Sequence, residues 1–535
     1  MPTLLLLCLL SVEPAQVADT VVVCPVVLRE ALAPWVAHRE SQGHQLALVS
    51  SDGGADEIRD RIRAVADGGQ LSHVVLVGDA DPSAEYDQRV RDRCVPTFQV
   101  RARVNVKWGS EPWIGTDNPY GDLDGDRLPD VAVGRLTADT PGQLQSIVGK
   151  ILAYEKSTDM RPWRRRVNFV AGVGGFGMLA DMMLETAAKK IIRDGVPDAY
   201  ETTMTYGSWR SPYCPDPRNF HLITQRRLDE GSLFWVYIGH GQRTLLDRVR
   251  TPAGTHHILG VRDAQRLNCK AGAPIALLLA CYAGAFDDRH DCLAERMLSA
   301  PNGPVAVYCG SRVTMPYAMS VMAMGLMDEV FRQQTATLGD VVLHGKRRLV
   351  SADEESVNRR RLDALAATLS PAPADLAGER EEHVQLFNLI GDPLLRLRYP
   401  QEVAVATAEY GTSGQSLTVS IASPVKGRAT VELVCRRDRL TFDPPSRTHF
   451  HNDDATLSAM NEVYHRANDS RWTVRSITVG EQPVTLDLDI PATAHGLSHV
   501  RVYVEGHDAF AAGATDVYLR RPPAATASAP APPAR

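Results

Sequence analysis

Two apolar runs end in residues that can do chemistry together. The first, Leu233–Ile238, stops at Gly239-His240-Gly241; the second, Ile275–Ala280, stops at Cys281 within "APIALLLACYAGAFDD". Each run is long enough for a buried strand. In open α/β sheets, ligands bind beyond the carboxyl ends of the strands. Two consecutive predicted strands therefore deliver an imidazole and a thiol to one rim. A free thiol is only a few per cent thiolate near neutrality. A neighbouring imidazolium lowers its pKa, each unit being about 1.4 kcal/mol, and the imidazole can later return the proton to a leaving amine. The backbone amides of Gly241 and Cys281 are candidate oxyanion donors, each such donor contributing roughly 3–4 kcal/mol in the transition state. Alone, a cysteine after an apolar run is ordinarily a small buried hydrophobe; the order of the two runs is what favours the dyad.

The elements that must position this pair follow from periodicity. From residue 19 to about 155, short β-branched runs ("TVVVCPVV", "QLALVS", "SHVVLVGDA") alternate with amphipathic helices. One helix is "LREALAPWVAHRESQG", closed by Gly43. Another is "TPGQLQSIVGKILAYEK", with Thr140 as its cap, Pro141 in its first turn and Leu144, Ile147, Val148, Ile151 and Leu152 as its apolar stripe. The pattern restarts at "RRVNFVAGVGGFG", with strands at 167–171, 233–238, 275–280 and 304–308. This alternation predicts an α/β class with mostly parallel sheets, in two subdomains, 19–158 and 159–400. Residues 352–382, charged and then Ala/Pro-rich, read as a surface insertion. After Pro400 the period becomes two: "SLTVSIAS", "ATVELVCR", "PVTLDLDIP" and "HVRVYVEG" predict an all-β, immunoglobulin-like sandwich over 401–521. The Pro/Ala-rich stretch 522–535 reads as a disordered tail.

Composition narrows the function. The chain has 535 residues, is 44% hydrophobic and carries a formal net charge of −6. Its basic clusters, Arg164–Arg166 and Arg359–Arg361, are short and read as solvated faces, so nucleic acid is not an expected partner. None of the nine cysteines forms a Cys-x-x-Cys pair, which excludes a zinc ribbon or thioredoxin motif. Leu4–Leu10 is too short to span a bilayer and, with the small residues up to Ala18, reads as a signal peptide over 1–18. A lipid anchor at Cys8 is not expected, and no other segment could cross a membrane.

Two further motifs bear on ligands. "DLDGDRLPD" places Asp122, Asp124, Asp126 and Asp130 at the first, third, fifth and ninth positions of a calcium loop. The usual sixth-position glycine is Arg127, and an EF-hand's twelfth-position glutamate would be Val133. "GVGGFG" offers Gly172, Gly174 and Gly177 as a G-x-G-x-x-G. The acidic residue that should end a second strand is misplaced, since Asp194 and Asp198 precede the next strand, so a dinucleotide site is not expected.

"YIGHG" followed by "LLLACYAGAFDDRHDCLAE" resembles the gingipain family of cysteine peptidases, relatives of the caspases. "VVLVGDADP" looks like a strand and turn of the family's first subdomain. "VAVGRL" looks like the lead into its linking helix, and "DCLAERML" like the Cys-x-Ala-Glu helix after the nucleophile. "GPVAVYCGSR" looks like its next strand, and "FNLIGDPLLRLRYP" like its closing strand, where an immunoglobulin-like domain takes over. The resemblance covers residues 20–400 in order, plus the sandwich. It implies that Cys281 is the nucleophile and His240 its acid–base partner, in a secreted or cell-envelope (periplasmic) endopeptidase acting on peptides or proteins, with no cofactor required for the chemistry. It also implies that Asp181, in "GGFGMLADMMLETA", selects Arg or Lys before the scissile bond by charge pairing. Where some members carry a glutamate that orients the histidine, this chain has Val173. The dyad then acts without a third member or uses another carboxylate. His256 and His257 are rival histidines, while Asp287, Asp288 and His290 follow the thiol in what reads as a solvated loop. The competing expectation is a catalytically inactive surface or secretion-associated binding protein on the same scaffold.

Overall fold

The computed structural model describes residues 18–174, 189–190, 192–351, 357–370 and 373–522. Residues 1–17 (of the stretch 1–18 read as a signal peptide), Gly177, Asp181 and the residues beyond 522 lie outside the described residues. Ten strands form one sheet. In chain order they are β1 (Thr20–Val23), β2 (Leu46–Val49), β3 (His73–Val77), β4 (Ala132–Leu136), β5 (Arg166–Ala171), β6 (Glu201–Tyr206), β7 (Phe234–Ile238), β8 (Ile275–Leu279), β9 (Ala306–Gly310) and β10 (Phe387–Ile390). Their spatial order is β2-β1-β3-β4-β10-β9-β8-β7-β5-β6. Every neighbouring pair is parallel except β9 with β10. The two predicted α/β blocks thus share one sheet, running in opposite directions on either side of that seam.

Strands covered on both faces should be apolar throughout, and β3 is buried at all five residues. The helix Pro141–Lys156 starts where Thr140 Oγ1 accepts the Gln143 amide, and its stripe Leu144, Ile147, Val148 and Ile151 is buried. It packs near the helix Arg29–Ser41 through a buried polar cluster. Arg39 pairs with Glu155 at 2.9 Å and with Asp392 at 2.5 Å, and Asp392 also accepts from Trp35 Nε1. Asp392 is the centre of "GDP", directly after β10. Gly391 beside it has φ +158°, and a Cβ there would stand 2.7 Å from that of Ala306.

Four expectations need correction. The strand expected at 304–308 runs from Ala306 to Gly310, because Cys309 and Gly310 still pair with Asn388 and Phe387. Arg164 and Arg165 are not solvated but buried. Residues 352–382 are not simply a surface insertion. Glu379 and Glu382 are buried on the helix Leu376–Leu386, and Glu382 accepts the amides of Arg103, Val104 and Asn105. Charge there serves buried backbone donors instead of water. Finally, the C-terminal region is not all-β. It holds a six-stranded and a three-stranded sheet, but also the helix Asp454–Ala467. That helix lies on the α/β half, where Tyr464 Oη meets Thr205 Oγ1 at 2.7 Å and accepts from Arg227 Nε at 2.8 Å.

The two regions are joined by a buried charge network. Arg165 Nη2 and Arg501 Nε both reach Glu432 Oε2, at 2.7 and 2.6 Å, and the Arg165 guanidinium lies over the Tyr503 ring. Among the described residues no helix is long and apolar enough to cross a membrane.

Candidate active site

Strand register brings the two predicted residues level. Ile238 on β7 stands opposite Leu279 on β8, and two residues beyond each lie His240 and Cys281. The Gly239 amide still donates to Leu279 O at 3.3 Å. A Cβ built on Gly241 would fall 2.5 Å from Cys281 O and 3.5 Å from Cys281 N, so the two chains touch backbone to backbone at the rim. Among the described residues, the amides of Gly241 and Cys281 donate to no backbone carbonyl.

Cys281 is half-buried, whereas the seven other described cysteines are fully buried. Burial pushes the thiols of Cys24, Cys94 and Cys214 up to about 12 and that of Cys435 to about 11, and it also raises Cys269, Cys292 and Cys309. The sulfur of Cys281 accepts the Thr314 amide at 3.3 Å and lies 3.6 Å from Thr314 Oγ1. The next amide, of Met315, donates to Nε2 of buried His383 at 2.8 Å, which anchors this segment. Tyr282, directly after the thiol, has φ +54°. A non-glycine residue holds that conformation only where its surroundings over-determine it. Here the Tyr282 amide donates to Arg312 O at 3.1 Å, and its ring lies under the Arg243 guanidinium.

His240 Nε2 is hydrogen-bonded to the carbonyl oxygen of Gly174. With Nε2–H donating, a neutral ring keeps its lone pair on Nδ1. A backbone carbonyl thus stands in the loop after β5, one residue beyond Val173. The rival histidines belong to a separate hairpin (Arg248–Thr251 with Gly254–His257), where His257 pairs with Asp263 at 3.1 Å and stacks on His221.

Asp287 is not solvated. Its carboxylate meets Arg312 at 2.5 Å; burial would raise its pKa, but the hydrogen bonds and charge of Arg312 hold it below the usual carboxylate range. Asp288 pairs with Arg243 at 2.7 Å, and Arg243 also reaches Glu111 at 2.5 Å, while His290 is exposed. Glu111 had no signal in the sequence, because it comes from a hairpin of the distant N-terminal block. Thr314 and Gly174 were missed for another reason: they act through backbone atoms.

At the predicted calcium loop, one carboxylate oxygen each from Asp122, Asp124 and Asp130 lies within 4.8 Å of the others. Asp126 is not among them, and its carboxylate accepts the Leu128 amide at 2.7 Å. Arg127, in place of the usual glycine, adopts φ +75°. The three converging oxygens fit a hard cation.

The model of Peptidase family C25 matches residues 13–398. A Lys-gingipain of Porphyromonas gingivalis is 22% identical over 300 residues, covering 54% of this chain but only 15% of that protein. The crystal structure of the Arg-specific cysteine proteinase gingipain R superposes with a TM-score of 0.53 at 16% identity, covering 95% of this chain and 99% of that one. A complex of its pro- and mature domains, also from Porphyromonas gingivalis, gives 0.51 at the same identity, covering 94% of this chain and 100% of that one. At such identity these structures speak to the fold.

Proposed function

The chain belongs to peptidase family C25, the gingipain-type cysteine peptidases, and from that premise we propose that it is a cysteine endopeptidase working through Cys281 and His240. The observation that supports this reading is the register that pairs Ile238 with Leu279, two residues before His240 and Cys281, together with the packing of Gly241 on the Cys281 backbone. His240 takes the thiol proton and the sulfur attacks the scissile carbonyl. The developing oxyanion turns toward the Gly241 and Cys281 amides. His240 then protonates the leaving amine, and water hydrolyses the thioester with the imidazole acting as base. Substrates are peptides or proteins cleaved after Arg or Lys. Asp181 is the residue assigned to that choice, on the family resemblance. Export to the cell envelope or beyond rests on the Leu4–Leu10 block. No cofactor enters the chemistry, and the Asp122, Asp124 and Asp130 turn is assigned a structural calcium ion.

Purified protein should cleave fluorogenic Arg or Lys peptides under reducing conditions, and Cys281→Ala should abolish this. Near pH 6, a thiol-reactive probe should label Cys281 far faster than the seven buried cysteines. Equal turnover by the variant, or uniformly slow labelling, would shift the assignment to a binding protein on a peptidase scaffold.

A further inference from the structure

The joint between the α/β half and the C-terminal sheets carries a group that the peptidase chemistry does not use. His499, on the strand Gly496–Glu505, is only 7% exposed. Its cross-strand partner is Asp516, whose Oδ1 lies 2.8 Å from His499 Nδ1. Nδ1–H donates to that carboxylate, which leaves the ring's lone pair on Nε2. Nε2 is buried and has no hydrogen-bond partner among the described residues. It faces Asp198 Oδ1, in the turn before β6, at 3.6 Å. That gap is too long for a hydrogen bond, and the two acceptors, the buried Nε2 and a carboxylate whose side chain is 40% exposed, face each other unpaired.

A divalent cation between them removes both faults. Zinc bonds of about 2.0–2.1 Å to nitrogen and oxygen place neighbouring tetrahedral ligand atoms roughly 3.3 Å apart, close to the span observed. One donor atom from each of Asp198, His499 and Asp516 lies within 4.8 Å of the others. We propose that Asp198 and His499 bind a zinc-class divalent cation across this joint, with Asp516 holding the imidazole in its ligating tautomer. An imidazole donor selects against calcium, and a carboxylate on the far ring nitrogen is the usual support for a metal-bound histidine. The Asp516 side chain is 86% exposed and that of Asp198 40%. The opposing charge is Arg437, 3.9 Å from Asp198 Oδ1. Its guanidinium is occupied by the carbonyls of Val196 and Pro197 at 2.6 and 3.0 Å.

The test uses the full chain with Cys281 alkylated, so that the catalytic pair holds no metal, and with calcium in excess to fill oxygen-rich sites. Calorimetric titration with zinc chloride should show one saturable site in the wild type. Asp198→Asn and His499→Gln should each weaken it by about tenfold or more, as should Asp516→Asn, the range expected for losing a ligand or its supporting carboxylate. Asp198 sits in a partly exposed turn, so its variant remains informative if the His499 variant fails to fold. Absence of zinc uptake by the wild type, or equal uptake by Asp198→Asn, overturns the proposal. So does a wild type that zinc leaves unchanged but mild acid stabilises, since a protonated imidazole would then bridge the two carboxylates.

Discussion

A methyl group at position 241 would sit 2.5 Å from the Cys281 carbonyl oxygen and 2.9 Å from the Ala280 Cβ. Gly241→Ala therefore must push the His240 loop off the Cys281 backbone, carrying the amide proposed as an oxyanion donor with it. Peptide kcat/KM should fall by about 10²–10³, the cost of one such donor, while the circular dichroism spectrum and Cys281 labelling persist; an unchanged kcat/KM would remove Gly241 from the oxyanion site. At this scale the sequence was legible where side chains end apolar runs, as at His240 and Cys281, which follow register-matched strand ends. It was silent at Gly174 and Thr314, whose carbonyl and amide touch His240 and Cys281, because any residue type carries those atoms. Asp287 misled for a related reason: its burial depends on Arg312, far along the chain.

Among the elements, the turn from Asp122 to Asp130 is the clearest to perturb. Three carboxylates converge there, and all three already accept backbone amides, Asp122 from Gly125, Asp124 from Asp126 and Asp130 from Leu123. A cation that binds only the folded turn stabilises by mass action, about 2.7 kcal/mol at a hundred times its Kd. Chelation should lower Tm, added calcium should restore it, and Asp130→Asn should blunt both changes. A Tm indifferent to chelator would leave the turn as an acidic loop without an ion. Helices with a capping residue and an unbroken stripe, such as Pro141–Lys156, were readable directly. The helix Asp454–Ala467 was not, although Leu457, Met460, Tyr464 and Ala467 repeat at helical spacing. Strand-like alternation on both sides masked a single short stripe, whose partner surface lies in the other half of the chain.

For the molecule as a whole, the joint is where acid should act. Burial alone would raise the Glu432 pKa, but the charges of Arg165 and Arg501 overcome it and hold the carboxyl at about 2. A depressed folded-state pKa stabilises fully above the unfolded value and is lost as pH falls through the folded one. The window therefore runs from about 4.5 down to about 2, and the group contributes about 3 kcal/mol. Urea unfolding should show this loss in the wild type and not in Glu432→Gln, which is destabilised already at pH 7 by two unpaired arginines. Identical acid profiles would separate Glu432 from the effect. Alternating strands and helices gave the α/β class, but not the union of both blocks in one sheet. That depends on β10, a four-residue strand with no signal for where it inserts. It is the last of the ten to be synthesised, yet it stands between β4 and β9. On the ribosome, Cys281 therefore emerges well before β10 can wedge the blocks together. It also emerges before His383 can grip Met315 beside the sulfur's Thr314 contact. Translation order alone gives the nascent polypeptide a cleft that stays unfinished until its closing strand arrives.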